Sequence, residues 1–295
     1  MAGVASIAAA LGAHRSGRNW CCACPLDCGY ALSLAEGDDG KLLAYCHGGH
    51  EFEELRTALV EYGLLDPDDD PPEQFERELV EKVNAKELTQ RIEAGAALYK
   101  EARPAAGTIA EKYIREVREI PIFSDALRLH PCVRHRIGVY APALIAPILG
   151  GCGAFLGAHL TYLKPDGSGK ADFHDSALQR DIRGVARGGC IRLAPHNPKR
   201  ELALGEGVES TLSGMALFDL PGWSAVSAAG LKTVELPSAV QHILIIADHD
   251  ESGCSQRCAT EAAQRLRSEG RKARIWLPTV VGDDANDVLR KKRRG

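Results

Sequence analysis

Two aspartates stand at the end of the most apolar segment of the chain. Residues 243–247 read Ile-Leu-Ile-Ile-Ala, and Asp248 and Asp250 follow directly. A continuous apolar run of this kind is typical of a central strand in a parallel sheet, and residues two apart on a strand face the same side. Two ionised carboxylates on one side repel each other unless a cation lies between them. Mg²⁺, or Mn²⁺ in its place, suits such a pair because it prefers hard oxygen ligands and bridges to phosphates.

A third carboxylate follows an earlier predicted strand. Glu206 comes after the apolar residues 202–204 and has a glycine on either side, which lets the backbone turn sharply and approach a ligand. Ligands of open α/β sheets bind beyond the carboxyl ends of the strands, so Glu206, Asp248 and Asp250 are predicted to converge on one metal site. Other acids nearby have a weaker claim, because a helix cap or the helix dipole alone explains them: Glu209, Asp284 and Asp287.

Cysteines and histidines cluster near the start of the chain. Cys24 with Cys28, and Cys46 with His50, form two short clasps of the kind that bring four ligands around one Zn²⁺ ion. No signal peptide is recognisable, and clustered cysteines in a reducing compartment favour a metal over disulfides. The ligand set stays open, and the alternatives are Cys22 for either cysteine of the first clasp and His47 for His50.

Four segments are predicted along the chain. Residues 1–63 hold the cysteine cluster, 64–104 an acidic, proline-rich linker followed by a charged helix, 105–200 a mixed middle domain, and 201–295 the acidic site. Strands alternate with helices in the last segment, which predicts a parallel sheet covered on both faces.

The predicted elements follow from hydrophobic periodicity and from turn and capping signals. Helices are predicted at 4–11, 51–62, 73–101, 109–118, 209–218 and 255–268. Strands are predicted around 32–34 and 42–45, with an Asp-Asp-Gly turn at 38–40 between them, and at 143–149, 154–163, 191–193, 202–204, 223–226, 241–247 and 273–277.

The segments around the three acids resemble a known domain. Residues 205–211, Gly-Glu-Gly-Val-Glu-Ser-Thr, and 246–253, Ile-Ala-Asp-His-Asp-Glu-Ser-Gly, are similar to motifs of the Toprim domain of bacterial-type primases and type IA topoisomerases. The resemblance implies that Glu206 is the single glutamate of that family and that Asp248 and Asp250 are its metal-binding pair.

Other parts of the chain resemble DNA primases of the phage, plasmid and mobile-element type. Residues 283–289 are similar to the end of their Toprim domains, and 45–50 to their zinc modules, although family members often have a histidine near Asp27 and a cysteine in place of His50. Residues 105–200 resemble the segment between these two modules. The resemblance implies contacts with template or nucleotide phosphates, with surface solubility as the alternative, for Lys170, Arg180, Arg183 and Arg187, and more weakly a site role for His159.

The resemblance implies an α/β fold with three parts: a C-terminal Toprim domain with a Rossmann-like parallel sheet, a primase-like α+β middle domain and a small N-terminal zinc ribbon. It implies a nucleotidyltransferase that makes short RNA primers on single-stranded DNA from ribonucleoside triphosphates, with Mg²⁺ and Zn²⁺ bound. Two alternatives share the same residues: a Toprim nuclease or strand-cleaving enzyme, and a non-catalytic, zinc-stabilised nucleic-acid-binding protein.

Bulk properties limit the remaining expectations. The 295 residues carry a net charge of -4 and are 45% hydrophobic, which is ordinary for a globular protein. No apolar run is long enough to span a membrane, so we expect a cytoplasmic protein without a membrane partner. The chain has no Gly-x4-Gly-Lys-Ser/Thr loop, so we expect any helicase motor of that kind to be a separate replicative partner.

Overall fold

The computed structural model describes residues 3–16, 19–26, 31–37, 41–46, 50, 52–66, 74–196 and 201–294, with the backbone alone for residues 16, 19, 31 and 74–87. The chain forms two compact units, residues 1–83 and 84–295. In these described ranges, no helix is long and apolar enough to cross a membrane.

The first unit contains a four-stranded antiparallel sheet of order β1-β2-β3-β4. Its elements are α1 (Val4–Ala10), β1 (His14–Ser16), β2 (Asn19–Ala23), β3 (Ala31–Glu36), β4 (Leu42–Cys46) and α2 (Phe52–Glu61). Leu32 and Leu34 lie on the same face of β3, because side chains alternate along a strand. They pack with Ile7 of α1 and with Leu55 and Leu59 of α2 in one buried core.

The elements predicted for this unit are present, with two additions, β1 and β2. β3 and β4 pair from Glu36 and Leu42 onward, as the predicted hairpin requires, while the predicted turn at 38–40 lies outside the described residues. β2 was not predicted, because its five residues, Asn-Trp-Cys-Cys-Ala, do not alternate between polar and apolar.

The second unit contains an antiparallel sheet of order β5-β6-β7-β8-β9. Its elements begin with α3 (Gln74–Glu101), which starts in the first unit, and continue with β5 (Arg103–Pro104), α4 (Ile109–Lys112), β6 (Arg128–Arg134), β7 (Tyr140–Leu149), β8 (Phe155–Tyr162) and β9 (Arg180–Gly184). The Thr108 side chain caps α4 by accepting the Ala110 N–H at 3.2 Å. The helix predicted over 109–118 continues beyond α4 as a π-helical turn over Tyr113–Val117.

A second sheet in this unit has the order β10-β12-β11-β13-β14 and is parallel except for β10. Its strands are β10 (Ile191–Arg192), β11 (Glu201–Gly205), β12 (Gly222–Ser224), β13 (His242–Ile246) and β14 (Lys272–Trp276). Its helices are α5 (Val208–Phe218), α6 (Ala228–Thr233), α7 (Cys254–Ser268) and α8 (Ala285–Arg294). The predicted parallel sheet is therefore confirmed.

Both faces of the parallel sheet are buried, as its apolar strands predict. Leu204 and Ile245 pack with Ala263 of α7 on one face, and Ala203 and Ile246 pack in a separate cluster on the other. The last residues of β11 and β13, Gly205 and Ile246, are paired in register. The residues that follow these two strands therefore emerge side by side.

The position of β10 differs from the prediction. Residues 191–193 were predicted as a strand of the middle segment, but Ile191 and Arg192 pair antiparallel with Ser224 and Trp223 of the parallel sheet. The Trp223 indole N–H also donates to the carbonyl of Ala194 at 2.7 Å. These contacts could not be inferred from a two-residue strand, because its partner lies far away in the sequence.

Candidate metal and phosphate site

Glu206 occupies the turn between β11 and α5. It is 7% exposed, and its Oε1 accepts the backbone N–H of Asp248 at 3.2 Å. The preceding residue has to be glycine, because a Cβ at Gly205 would collide with the side chain and backbone of Thr211. The glycine that the sequence places before Glu206 thus allows α5 to pack closely against the end of β11.

Asp248 and Asp250 lie two and four residues after Ile246, the buried last residue of β13. Asp248 accepts a hydrogen bond from the Ser210 hydroxyl of α5 at 3.1 Å. Asp250 accepts the backbone N–H groups of Cys254 and Ser255 at 3.1 and 2.7 Å, so its carboxylate binds the first turn of α7. Asp250 Oδ1 also accepts the Ser252 hydroxyl, so the lone pairs left for another ligand are on Asp250 Oδ2 and on the Asp248 carboxylate.

Two serines connect these acids, and neither belongs to the residues predicted for the site from the sequence. The Ser255 hydroxyl donates to Glu206 Oε2 at 3.1 Å, while its N–H binds Asp250, so this one residue holds two of the three predicted acids. Ser210 holds the third. The available signal was weak: both serines lie in the first turns of helices that follow the acidic motifs. The structure therefore brings Glu206, Asp248 and Asp250 to one edge of the parallel sheet.

The loop before α8 adds a fourth acid. The backbone of His249 exchanges hydrogen bonds with this loop, donating to Asp283 O at 3.1 Å and accepting from Gly282 N–H at 2.7 Å. Asp284 and Asp287 then cap α8 reciprocally, each accepting the other's N–H, at 2.8 and 3.1 Å. The capping interpretation of this segment is therefore satisfied, and Asp284 also lies near enough to raise the pKa of Asp248.

Burial and mutual repulsion control the protonation of these acids. Burial, followed by the charge of Asp248, raises the pKa of Glu206 to about 7. Burial, followed by the charge of Asp284, raises the pKa of Asp248 to about 6. The charge of Asp248 raises the pKa of Glu206, whereas Glu206 is not among the groups that raise the pKa of Asp248. The reason is that Asp248, with the lower pKa, ionises first while Glu206 is still neutral. For Asp250, hydrogen bonds from Ser252, Ser255 and Cys254 outweigh burial and lower the pKa.

This donor set fits a divalent cation held together with substrate phosphates. Buried carboxylates that repel each other near neutral pH are neutralised either by a proton or by a cation. Mg²⁺ commonly uses one or two carboxylates and keeps water or phosphate as its other ligands. Within the described ranges, the Toprim-like acids Glu206, Asp248 and Asp250 do not bring three oxygens within 4.8 Å of one another, so the site suits that open arrangement better than a closed cage.

A buried ion pair lies beside the acids. Lys170 Nζ is 2.9 Å from Glu209 Oε1, which also accepts the Tyr113 hydroxyl at 3.0 Å. Although Glu209 is 3% exposed and burial opposes it, Lys170 and Arg180 lower the pKa of this carboxyl. Burial lowers the pKa of neighbouring His159 to about 4, so its imidazole is neutral at physiological pH. Glu209 is thus neutralised by protein cations.

Arg180 is the predicted phosphate contact most available to a ligand. It is exposed at the start of β9, its charge lowers the pKa of both Asp248 and Glu209, and it forms no ion pair with the residues that the structure describes. The two other predicted arginines are elsewhere: Arg183 pairs with Asp181 at 3.0 Å, and Arg187 is exposed in the loop after β9.

Among the residues that the structure describes in both units, one compact group of potential metal ligands is present, and it lies in the first unit. The Sγ atoms of Cys24 and Cys46 are 3.5 Å apart, and each is 3.5 Å from His50 Nδ1. Ligand atoms at about 2.3 Å (sulfur) and 2.0 Å (nitrogen) from a tetrahedral zinc ion lie roughly 3.5–3.8 Å apart. This geometry fits a metal such as zinc. The alternative ligand Cys22 instead faces the carbonyl of Leu32, at 3.9 Å.

The fourth predicted zinc ligand, Cys28, and the alternative His47 lie outside the described residues. The cysteine cluster therefore supplies three converging ligand atoms from two clasps, at the end of β2, at the end of β4 and at position 50.

Family comparisons match the two segments of the second unit separately. A model described as Toprim domain matches residues 201–295. These residues are a Toprim domain. The match confirms the resemblance that the motifs around Glu206, Asp248 and Asp250 predicted, and with the parallel sheet it confirms the predicted α/β fold class. A model described as a domain of unknown function (DUF7146) matches residues 89–193. A search of curated proteins gave no significant match.

Solved structures similar to this chain include several primases. The primase fragment of the bacteriophage T7 primase-helicase protein is 17% identical, with 66% of this chain and 71% of that chain covered and a TM-score of 0.42. The zinc-binding and RNA polymerase domains of the Aquifex aeolicus primase are 13% identical, with 100% of this chain and 82% of that chain covered and a TM-score of 0.44. The DnaG primase catalytic domain bound to ssDNA is 14% identical, with 70% of this chain and 78% of that chain covered and a TM-score of 0.41. TM-scores below 0.5 do not establish a shared activity, so the function has to be inferred from the Toprim site.

Proposed function

We propose that this protein is a DNA primase, a nucleotidyltransferase that makes short RNA primers on single-stranded DNA. The observation that carries the proposal is the position of two cations from the DUF7146 segment, Lys170 and Arg180, beside the acids of the Toprim domain. Acids that suit Mg²⁺ next to an exposed arginine are the parts that phosphoryl and nucleotidyl transfer requires. Each part alone would be compatible with many other functions.

Each group has a distinct role in this proposal. Glu206, Asp248 and Asp250 would hold Mg²⁺, which supplies charge stabilisation at the α-phosphate when bound. In the metal-free protein Glu206, with a pKa of about 7, is able to take up or release a proton at its carboxyl near neutral pH, and bound Mg²⁺ would hold it in the ionised form. Arg180 would bind the triphosphate of the incoming ribonucleotide, since a guanidinium forms paired hydrogen bonds with phosphate oxygens.

Lys170 is committed to Glu209 by a buried ion pair. We therefore assign it to the positioning of Arg180 and the acids, and only Arg180 to direct phosphate contact. Arg183 and Arg187, which lie apart from the acids, are proposed to contact nucleic acid elsewhere on the surface.

The cysteine cluster supports the second part of the proposal. Cys24, Cys46 and His50, with Cys28 as the fourth ligand, would bind Zn²⁺ and so stabilise a module that holds the single-stranded template. A separate replicative helicase is a further proposed partner.

A primer-synthesis assay tests the proposal. Wild-type protein, with single-stranded DNA, labelled ribonucleotides and Mg²⁺, should produce short RNA products that disappear in an Asp248→Asn, Asp250→Asn double variant. The matched control is Asp219→Asn, an exposed residue of the same domain whose left-handed backbone (φ 52°) asparagine also adopts. Full primer synthesis by the double variant would refute the proposal.

Two other outcomes identify the alternatives. Nicking of plasmid DNA without added nucleotides, lost in the same double variant, would indicate a Toprim nuclease that uses the same acids. DNA binding that does not respond to Mg²⁺, with neither primers nor nicks, would indicate a non-catalytic nucleic-acid-binding protein.

A further inference from the structure

An exposed apolar group lies at the end of the hairpin formed by β6 and β7. Ile137 and Val139 are each 43% exposed, and Tyr140 is 63% exposed. The turn is closed by backbone hydrogen bonds, from His135 N–H to Val139 O at 2.7 Å and from Gly138 N–H to His135 O at 3.0 Å. These side chains are thus presented to solvent on an ordered turn, and contiguous exposed apolar groups commonly mark binding sites.

Arginines surround this hairpin end. Arg134 is paired in register with Tyr140, so the two side chains share a face of the sheet. Arg136 is exposed in the turn itself, and the Arg183 guanidinium donates to the carbonyl of Arg134 at 3.1 Å. One acid, Asp181, pairs with Arg183, which leaves a local excess of positive charge suited to a polyanion.

A surface cavity adjoins Tyr140. It has a volume of about 440 Å³, and its lining includes Tyr140, the apolar residues Pro142, Leu163 and Ala171, and the acid Asp166. An ion pair between Lys164 and Asp172, at 2.9 Å, lies at the same cavity. An aromatic residue, apolar residues and polar groups, here Asp166 and the Lys164–Asp172 pair, are the features that accept a flat heterocycle whose edge carries hydrogen-bonding groups.

We propose that the hairpin end, comprising Arg134, Arg136, Ile137, Val139 and Tyr140, binds single-stranded nucleic acid. One unstacked base would stack on Tyr140 over the cavity, and the arginines would contact the flanking phosphates. Proteins that bind single strands without sequence preference combine aromatic stacking with a positively charged track in this way. A duplex would not fit this arrangement, because its bases are stacked and their faces are not accessible.

The location is compatible with the proposed function, from which this inference takes the choice of nucleic acid as ligand. The cavity residue Leu163 forms an isolated β-bridge with Lys170, and Lys170 pairs with Glu209 beside the Toprim acids. A nucleic-acid strand bound at Tyr140 would therefore be separated from the proposed site of nucleotidyl transfer by the turn between Leu163 and Lys170. Arg183, which does not lie with the acids, also contacts this surface through the carbonyl of Arg134.

Binding of a short fluorescent oligothymidylate by the full-length protein, measured by anisotropy without Mg²⁺ or nucleotides, tests the inference. Tyr140→Ala should weaken binding about 10-fold, because base–aromatic stacking contributes on the order of 1–3 kcal/mol per base. Tyr140→Phe keeps the ring and should bind like the wild type. Arg136→Ala should reduce the steepness of the fall of log binding constant with log salt concentration by about 1. The control is Arg274→Ala, which removes an exposed arginine of β14 and should leave the steepness unchanged.

A second readout is specific to stacking. An oligonucleotide with 2-aminopurine should lose fluorescence on binding to the wild type and to Tyr140→Phe, and much less on binding to Tyr140→Ala. Unchanged affinity and quenching in Tyr140→Ala would overturn the inference. So would a change confined to self-association in sedimentation velocity, which would make this surface a contact between protein chains. Tyr140-dependent binding by a protein that makes no primers would overturn the proposed function and leave this inference standing.

Discussion

Replacing Glu206 by glutamine should remove a pH-dependent loss of stability from the metal-free protein. Glu206 is buried, and its pKa lies at about 7 instead of 4.5, so the folded state favours its protonated form. Glutamine resembles that form but cannot ionise. It supplies one acceptor where the carboxylate supplies two, so one of the bonds from Ser255 or the Asp248 N–H is lost, at a cost of about 1 kcal/mol that does not depend on pH.

The sign and the size follow from proton linkage. For an acid with a raised pKa, the stabilising contribution is complete below the unfolded-state pKa and is lost as the pH rises through the folded-state pKa. The difference between 4.5 and about 7 corresponds to about 3 kcal/mol in total. Of this, about 2 kcal/mol should be lost between pH 5.5 and pH 8, because part of the loss has already occurred at pH 5.5.

Thermal unfolding in Mg²⁺-free buffer at these two pH values is the assay. About 2 kcal/mol corresponds to a decrease of roughly 4–8 °C in Tm for a unit of this size. Between pH 5.5 and pH 8 the Tm of Glu206→Gln should therefore fall by about 4–8 °C less than the Tm of the wild type. Glu116→Gln, an exposed glutamate, is the matched control and should behave like the wild type. Added Mg²⁺ should restore stability mainly at pH 8, where the carboxylate is ionised. An equal decrease in wild type and Glu206→Gln would refute the reasoning.

Two further predictions concern the zinc cluster and the buried ion pair. Cys46→Ser should reduce bound zinc, measured by atomic emission on protein purified without chelator, from about one equivalent per chain to near zero, because one of the ligands is lost; full retention would show that the cluster does not bind zinc. Lys170→Met should lower the free energy of unfolding in urea by about 3 kcal/mol, because Glu209 is left charged and buried, and a second change, Glu209→Leu, should restore most of it. A small effect of Lys170→Met, or no restoration by the second change, would show that the pair is solvated.

The acids of the site were predictable because burial of a strand is visible in the sequence. Residues 243–247 are apolar on both faces of β13, which places Asp248 at a strand end, and the glycines around Glu206 show where the backbone turns. Ser255 and Arg180 were harder, because their roles depend on contacts with residues distant in sequence. Arg180 was identified as a cation, but only the pairing of β9 with β8 brings it near Asp248.

The antiparallel strands of the middle segment show the same limit. β6 and β9 were not predicted, since Arg128–Arg134 and Arg180–Gly184 contain several charged residues and show no clear alternation. Their place in the sheet depends on pairing with β7 and β8, which are apolar enough to be recognised. The exposed end of the β6–β7 hairpin, including Tyr140, could therefore be located only in the structure.

Anomalous diffraction from crystals soaked in Mn²⁺ tests the central claim most directly, because it locates the cation without reference to activity. A peak bonded to Asp248 and to at least one of Glu206 and Asp250 is the predicted result. Mn²⁺ bound elsewhere on the protein, with these three carboxylates free of metal, would contradict the account.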